Sequence, residues 1–313
     1  MHELGKLALI LVVVSTVRAA HATDFRLLSS WTPAYPGVPH IVERYVRKVE
    51  QAGNGEFRFF IIGPDSIPPF DQYEATAIGI FDVVFTHGSF HADSTGMGLA
   101  LDTIEADPAS MREAGVWDAV DQHYRARGLK LLALPVSRAG YQLLLRDPIS
   151  ADCDLAGRDI DGAEIHGALL ETLGATRKQG ARDGVVWPTL HAADPAWLGD
   201  SRYYTRPTFG AYTHMLLMNL ATWNTLSDES QAVLLNEGVQ IEVRAWKRSW
   251  DYAARAEALL NQQGVQSTAF CGDTLTLVPR HWADGVWRTG LRGNDAAVHR
   301  VRELAREAGI TPP

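Results

Sequence analysis

Residues 25–62 read FRLLSSWTPAYPGVPHIVERYVRKVEQAGNGEFRFFII, and this stretch decides the fold class. The hydrophobic run at 25–30 predicts a β-strand, and the Trp, Pro and Gly residues of 31–37 predict a turn. Apolar residues then recur at helical spacing from Ile41 to Val49. Because a second strand is predicted over 57–62, the segment reads as a β-α-β unit.

The same alternation continues along the chain. A short helix is predicted over 72–77 and a third strand over Ile80–Thr86, which completes a parallel α/β lobe. In parallel sheets, ligands bind outside the carboxyl ends of the strands. The loops at 31–37, 63–70 and 86–91 are therefore expected to face a binding cleft.

Two segments are predicted to cross from this lobe to a second one. A strand at 129–134 leads into another at 140–145 without a flexible linker, and the apolar segment 211–218 forms the second crossing. A helix then starts near Ser227, with acidic residues in its first turn, and keeps its apolar phase up to Gly264. Such a helix is roughly 50 Å long, a reach that only an element running across both lobes needs.

The expected division is into two lobes with a cleft between them. Lobe I is assigned residues 23–136 together with 216–250, and lobe II residues 137–215 together with 251–313. The composition agrees with this division, because a chain of 313 residues that is 46% hydrophobic exceeds what a single core usually holds.

The N-terminus indicates export. Residues 7–17 form an apolar run that is too short to span a bilayer comfortably, and Ala20-His21-Ala22 supplies the small-x-small pattern that signal peptidase needs. We expect cleavage after Ala22 and a periplasmic location. The alternative is an uncleaved anchor, because Glu3 offsets part of the positive charge that precedes the run.

Charge and cysteine content narrow the classes of partner. Without Glu3, Lys6 and Arg18 of the predicted signal peptide, the 29 basic and 37 acidic residues become 27 and 36, a net charge of −9. This acidic balance disfavours nucleic acid as a partner.

Cys153 and Cys271 would face an oxidising compartment in which a disulfide persists, but their pairing stays open. Neither cysteine has a Cys or His nearby at ligand spacing, which disfavours a metal site.

Several segments, in the same order, resemble the DctP-type solute-binding proteins of TRAP transporters. Residues 154–162, DLAGRDIDG, are similar to the family's D-L-x-G-x-K-I-R-G, and 173–175 follow at the spacing of its L-G-A. Residues 77–82 are similar to its A-x-x-G-x-x-D, 183–188 to its D-G-x-x-x-P and 223–227 to its W-x-x-L-S. The resemblance covers most of the chain after the signal peptide. It implies an α/β fold of the two-lobed periplasmic binding protein type (type II-like), with hinge strands and a long helix spanning both lobes.

The chain departs from this resemblance at the implied ligand site. The family's arginine in K-I-R-G holds the carboxylate of an organic acid through a bidentate contact, and here that position is Asp161. Because two carboxylates repel each other, Asp161 is predicted to select a positively charged group. A second arginine, used by some members, falls at Tyr141.

A connection in lobe II is also shorter than the resemblance implies. Only the seven residues 176–182 separate Ala175 from Asp183, where the family places a strand and a helix. A parallel crossover needs roughly a dozen residues. We therefore expect a smaller lobe II and a more open side of the cleft.

The candidate ligand-binding residues are a carboxylate, four aromatic residues and a histidine: Asp161, Trp187, Tyr141, Trp31, Tyr35 and His87. The aromatic rings are expected to stack around a cation held by Asp161. The alternatives are that Asp161 is solvated or paired with Arg158, and that the rings pack in the core. A zinc site at His87 and His91 is disfavoured, because Gly88-Ser89 indicates a loop between them.

The resemblance implies capture and delivery of a solute. The predicted ligand is a small amine or zwitterion, and the alternative is an organic acid held by other groups such as Arg138 or Arg146. The predicted partners are this ligand and the TRAP membrane permease subunits, and the chain is expected to be a monomer without cofactor or metal. A periplasmic sensor and a hydrolytic enzyme are further alternatives, although no nucleophile motif or phosphate-binding glycine loop supports an enzyme.

Overall fold

The structure is a computed structural model that describes residues 22–193, 198–293 and 295–312. The predicted signal peptide, apart from Ala22, lies outside these residues. Among the described residues, no helix is both long and apolar enough to cross a membrane.

Lobe I is built on a mixed six-stranded sheet. Its strands are β1 (Thr23–Ser29), β2 (Phe57–Ile62), β3 (Val83–His87), β4 (Leu129–Ala133), β5 (Val136–Ser137) and β11 (Tyr212–Asn219). Their order is β2-β1-β3-β11-β4, and β5 also pairs with β11. Strand β1 is parallel to β2 and β3, whereas β11 is antiparallel to its neighbours.

Lobe II has a second six-stranded sheet. Its strands are β6 (Tyr141–Leu145), β7 (Asp159–Asp161), β8 (Thr176–Arg177), β9 (Gly184–Pro188), β10 (Tyr203–Arg206) and β12 (Gln266–Ala269). Their order is β12-β10-β6-β9-β7-β8. Strand β6 runs antiparallel to both of its neighbours, and the other five strands all run in the opposite direction to β6. The carboxyl ends of these five strands therefore lie along the edge of the sheet where β6 begins.

Helices cover both sheets. They are α1 (Glu43–Ala52), α2 (Pro69–Ala77), α3 (Met97–Ala100), α4 (Pro108–Glu113), α5 (Val116–Arg125), α6 (Gly167–Thr172), α7 (Leu220–Asn224), α8 (Asp228–Gln262), α9 (Thr274–Gly290) and α10 (Ala296–Glu307). Successive residues of β1 point to opposite faces of the sheet, so Leu27 packs in the core that contains α1, and Leu28 in the core that contains α5. Burial on both faces explains why the strands of this sheet read as continuous apolar runs.

The long helix α8 confirms the predicted element that spans both lobes. It has 35 residues and begins after Ser227, whose Oγ accepts the N–H of Ser230 at 3.1 Å. Near its start it packs on lobe I, where Gly238 lies against the backbone of Leu132. Near its end, Leu260 is buried in the cluster that contains Leu144 of β6 in lobe II.

Two extended segments cross between the lobes, as the hinge-strand prediction requires. The first runs from β4 through β5 to β6, and the second from β10 to β11. The crossings touch each other, because Tyr141 and Phe209 form a backbone bridge. Glycine is required here: Gly140 has φ +46°, and a Cβ on it would lie 2.1 Å from the carbonyl oxygen of Gly210.

The third strand starts later than the sequence pattern predicts. The apolar residues Ile78 and Ile80 are 63% and 51% exposed, and β3 begins only at Val83. Gly79 adopts a left-handed φ of +82°, which turns the chain before the strand starts. Asp82, the acidic residue of the motif at 77–82, then accepts the backbone N–H of Arg26 in β1 at 2.8 Å.

The last helix packs on a different lobe from the one assigned above. Residues 251–313 were expected in lobe II, but α10 packs against α5 of lobe I. Val298 and Val301 of α10 are fully buried in the core cluster that holds Val116 and Val120 of α5. Apolar periodicity identifies such a helix but does not specify which surface it covers.

A disulfide and a short connection shape lobe II. Cys153 and Cys271 are paired, with their Cα atoms 5.4 Å apart. Strand β8 has only two residues, and the residues 178–183 that connect it to β9 contain no helix. The carboxylate of Asp183 closes this connection by accepting the backbone N–H of Asp159 at 2.9 Å.

Candidate functional site

Side chains from the strand ends of both sheets meet between the lobes. Trp31 follows β1 and His87 ends β3 in lobe I, while Tyr141 begins β6 in lobe II. A turn of 3₁₀ helix, Thr189–His191, follows β9 of lobe II. These are the positions at which open α/β sheets bind ligands, because the strands of each sheet end there.

An aromatic layer forms the lobe I wall of this region. Trp31 is 8% exposed, and its ring centroid lies 4.8 Å from that of Tyr35, 5.0 Å from Phe85 and 5.4 Å from His214. Tyr35 Oη and His214 Nε2 also share a hydrogen bond. The interlocking rings fix one another, so this wall is rigid and largely apolar.

His191 links the layer to lobe II. Its ring stacks on that of Tyr35 with a centroid distance of 4.0 Å and an interplanar angle of 13°. Its centroid also lies 6.2 Å from that of Trp187, the penultimate residue of β9, in an edge-on arrangement. A single imidazole therefore contacts aromatic rings from both lobes.

Asp102 is the second point of contact between the lobes. It is fully buried, and its Oδ2 accepts hydrogen bonds from Tyr141 Oη at 2.6 Å and His87 Nε2 at 2.9 Å, while Oδ1 accepts the N–H of Thr213 at 2.9 Å. A buried carboxylate requires such partners to offset its lost hydration. Because Tyr141 belongs to lobe II, its hydrogen bond fastens that lobe to lobe I.

Ser89, His87 and Asp102 form a hydrogen-bonded chain with the residue types of a hydrolase triad. Ser89 Oγ lies 2.9 Å from His87 Nδ1, and His87 Nε2 lies 2.9 Å from Asp102. However, the Nδ1 lone pair already accepts the backbone N–H of Ser89 at 3.1 Å. The imidazole thus caps the short helix Gly88–His91 and is not placed to deprotonate the serine.

Burial shifts the protonation equilibria of this layer toward neutral forms. It raises the pKa of Tyr35 and of Tyr141 well above their ordinary values, and in Tyr141 the nearby Asp102 carboxylate adds to the rise. It lowers the pKa of His214 well below the usual value. At neutral pH the phenols and the His214 imidazole are therefore uncharged.

A cavity of about 640 Å³ opens beside the aromatic layer. It is lined by the lobe I loop with Trp31 and Tyr35, by His191 of lobe II and by Tyr252 and Arg255 of α8. Its volume lies in the range of roughly 300–1,000 Å³ typical of small-molecule pockets. Burial, together with the nearby Arg255, lowers the pKa of His40 and so favours its neutral form. Arg255 is therefore the one residue with a permanent charge among the described residues that line the cavity.

The same arrangement of lobes is found in known proteins. A TRAP periplasmic solute-binding protein from Desulfovibrio salexigens, with bound orotic acid, has a TM-score of 0.79 at 17% identity, over 91% of this chain and 98% of that one. Another, from Colwellia psychrerythraea with bound calcium and pyruvate, has a TM-score of 0.77 at 13% identity, over 92% and 94%. DctP7 from Bordetella pertussis, an extracytoplasmic solute receptor that binds pyroglutamic acid, has a TM-score of 0.74 at 12% identity, over 91% and 100%. No protein-family model matches the sequence.

The chain has the fold of the TRAP periplasmic solute-binding proteins. This finding confirms the fold class predicted from the sequence, including the hinge strands and the long helix. The motif residues that suggested the TRAP fold also have structural tasks in it. Gly79 and Asp82 set the start of β3, Asp183 closes the β8–β9 connection, and Ser227 caps α8.

Asp161 occupies the last position of β7, where the TRAP resemblance placed an arginine. Its Oδ1 accepts the N–H of Gly162 at 2.7 Å, and its Oδ2 accepts the N–H of Gly180 in the short connection at 3.0 Å. The alternative pairing with Arg158 does not form, because that guanidinium donates to the carbonyls of Asp147 and Pro148. Each carboxylate oxygen keeps a second lone pair that a ligand can use.

The structure thus brings most of the predicted residues into the region between the lobes. Trp31 and Tyr35 line the cavity, Trp187 contacts it through His191, and His87 and Tyr141 converge on Asp102. Asp161 makes its hydrogen bonds elsewhere and is not part of the cavity lining. Among the described residues, no group of three or more His, Cys, Asp or Glu side chains could hold a metal ion.

Three residues of this region were not among the sequence candidates: Asp102, His191 and His214. Asp102 carries a usable signal, because it is the lone acidic residue in the apolar segment 97–104. A buried charge needs a partner, which predicts a polar network around it. His191 and His214 gave no comparable signal, because a single histidine in a loop or strand is compatible with many roles.

Proposed function

We propose that this protein is the extracytoplasmic solute-binding subunit of a TRAP transporter, which captures a small polar solute between its lobes and delivers it to the membrane permease. The observation that carries the proposal is the cavity bounded jointly by a lobe I loop, a lobe II turn and the helix that connects both lobes. Support comes also from structural neighbours that hold orotic acid, pyruvate or pyroglutamic acid.

The mechanism follows from contacts that cross between the lobes. Tyr35 stacks on His191, and Tyr141 donates to Asp102, so both contacts form only when the lobes approach. A solute that touches both lobes stabilises this arrangement by its differential affinity for the closed over the open state. The permease then distinguishes the loaded from the empty protein by the relative position of the lobes.

The proposed ligand class is a small amine or zwitterion. Asp161 supplies a carboxylate at the carboxyl end of β7, with a fixed orientation because two backbone N–H groups hold it. Attraction between this carboxylate and an ammonium at about 4 Å is worth ~1 kcal/mol in water and ~4 kcal/mol in a partly shielded site. The aromatic rings of Trp31 and Tyr35, which line the cavity, would add cation–π attraction to an ammonium bound there.

A second candidate is an organic acid, and one observation favours it. The cavity lining has a cation, Arg255, and no acidic side chain among its described residues. A guanidinium binds carboxylates through two parallel hydrogen bonds. A carboxylate in this cavity would therefore bind to Arg255, whereas Asp161 lies outside the described lining.

Calorimetric titration of a matched amine, zwitterion and acid tests the ligand class. We expect the amine or the zwitterion to bind, and Asp161→Asn to weaken that binding tenfold or more, since 1.4 kcal/mol is one decade of affinity. Arg255→Gln is the matched control for the competing candidate. If the acid bound best, and only Arg255→Gln weakened it, the organic acid would replace the amine; if none of the three bound, the solute-binding proposal itself would lose its support.

Export and delivery need their own measurements. N-terminal sequencing of protein recovered from the periplasm should begin at Thr23, whereas retention of Met1 on a membrane-bound form would contradict cleavage after Ala22. Delivery is tested by uptake of the bound solute in cells that express the permease, with and without this protein. Uptake that does not depend on the protein would favour a sensor role.

A further inference from the structure

A second concave surface lies between α1 and α8, separate from the interlobe cavity. It has a volume of about 440 Å³. Arg44 and Lys48 of α1 line one side, and Arg244, Lys247 and Arg248 of α8 line the other. We call this surface the basic groove.

The charge of the basic groove is opposite to that of the whole protein. Five of its lining residues are cationic and one, Glu237, is acidic, although the chain carries a formal net charge of −8. Arg44 and Lys48 are four residues apart on α1, and Arg244 and Arg248 are four apart on α8, so like charges are neighbours on both helices. Such pairs repel each other, and a bound anion would relieve the repulsion.

Most of these cations have no anionic partner among the described residues. Of the five, only Arg248 forms an ion pair there, with Asp251 at 2.9 Å, and Lys48 donates to the neutral Gln51 at 3.3 Å. Arg44, Arg244 and Lys247 form no ion pair in the described ranges. Arg244 in addition has its Nε buried without a hydrogen-bond acceptor. A buried guanidinium N–H without an acceptor is costly, which indicates that an external acceptor belongs there.

The base of the basic groove is less polar than its rim. Tyr45 and Ile241 line it and are 1% and 3% exposed. Tyr45 Oη already donates to the carbonyl of Leu234 at 3.2 Å, so it presents its ring to the groove and not a free hydroxyl donor. Cationic walls over an apolar base match a molecule with an anionic head and an organic body.

We propose that the basic groove binds a phosphate group carried on a small organic molecule or on a lipid head group. A phosphate offers several acceptor oxygens and up to two negative charges, which guanidinium and ammonium groups contact through charge-assisted hydrogen bonds. The volume exceeds the needs of a bare phosphate and falls within the range of small-molecule sites, roughly 300–1,000 Å³. The site is distinct from the solute cleft, and the proposal does not depend on which solute binds there.

The test uses pyrophosphate and phenyl phosphate as soluble probes and phosphatidylglycerol vesicles as the lipid probe. Calorimetry should show saturable binding of at least one soluble probe, with affinity that falls as salt is raised. The triple variant Arg44→Gln/Arg244→Gln/Lys247→Gln should bind it at least tenfold more weakly. Cosedimentation with phosphatidylglycerol vesicles, but not with phosphatidylcholine vesicles, would assign the phosphate to a lipid head group, and binding of soluble probes alone would assign it to a free molecule.

A charge-matched control separates a built site from general attraction. Arg47→Gln/Arg300→Gln/Arg306→Gln removes the same charge, and none of its residues lines the groove; Arg47 is on α1 itself. We expect this control to change affinity less than twofold. Equal losses in both triple variants, or no binding of any probe to the wild type, would overturn the proposal. Thermal unfolding of both variants checks folding. The groove variant should not be destabilised, because the replaced cations have no ion pair among the described residues, and the control loses only the exposed pair of Arg300 with Glu303.

Discussion

Replacing Tyr141 with Phe tests whether the hydrogen bond to Asp102 fastens the two lobes together. The change removes one hydroxyl and keeps the ring, whose centroid lies 4.6 Å from that of Trp282. The lost hydrogen bond is 2.6 Å long and joins a side chain that is 3% exposed to a carboxylate that is fully buried. Among the described residues, the Asp102 carboxylate then keeps its hydrogen bonds to His87 and Thr213.

The expected decrease in the free energy of unfolding follows from the negative charge of the Asp102 carboxylate, which accepts the hydrogen bond. Hydrogen bonds to charged groups contribute about 1.5–3 kcal/mol to the free energy of unfolding, more than neutral ones. At roughly 2–4 °C per kcal/mol, the melting temperature should fall by about 3–12 °C. Urea unfolding followed by circular dichroism measures the free energy, and calorimetry measures the melting temperature.

Tyr204→Phe is the matched control for this prediction. It makes the same chemical change at a buried tyrosine of lobe II whose hydroxyl donates to Asn261, a neutral acceptor, at 3.4 Å. That longer, neutral hydrogen bond should contribute less than about 1 kcal/mol. If Tyr141→Phe cost no more than Tyr204→Phe, the hydrogen bond to Asp102 would not fasten the lobes in the way argued here.

Three further predictions concern stability. The disulfide between Cys153 and Cys271 closes a loop of 118 residues, so the double serine variant should lose up to roughly 5 kcal/mol in urea unfolding; a loss below 1 kcal/mol would contradict the pairing. Burial lowers the pKa of His91 and of His166 to about 3, so between pH 6.5 and 3 the unfolded chain binds protons that the folded one does not. Stability should therefore fall as pH drops, by about 2 kcal/mol per histidine at pH 5. His166→Met should reduce the loss at pH 5 by about 2 kcal/mol, and an unchanged pH dependence would contradict the burial of His166. Gln142 is fully buried, and neither polar atom of its side-chain amide has a hydrogen-bond partner among the described residues. Gln142→Met should therefore raise the unfolding free energy by about 1–3 kcal/mol, and a destabilised variant would contradict this reading.

The elements that the sequence predicts well are those with strong local signals. The strands at the start of the chain are apolar because both faces of the lobe I sheet are covered. Helix α8 combines a Ser227 cap, acidic residues in the first turn and a long apolar phase, and each of these signals agrees with the structure. Local propensity and burial point the same way there, so sequence reasoning is sufficient.

The candidate site depends on contacts that are distant in the sequence. Asp102 lies 15 residues from His87 and 39 from Tyr141, and Tyr35 lies 179 residues from His214. No periodicity encodes such pairs, because they arise only when two lobes and two crossings are assembled. For the same reason the sequence does not show that α10 covers α5, or that Asp161 holds the backbone of the short connection.

Blocking the cavity between the lobes tests whether a small solute binds there. Ala34 is exposed and lines the cavity, so Ala34→Trp should fill the space with little cost to folding; Ala232→Trp, at an exposed position of α8 away from the cavity, is the control. A thermal-shift screen of matched amines, zwitterions and acids should yield a compound that raises the melting temperature saturably, since binding to the folded state stabilises it by mass action. We expect Ala34→Trp to abolish this shift and Ala232→Trp to keep it. An equal shift in both variants would place the binding site outside the cavity between the lobes.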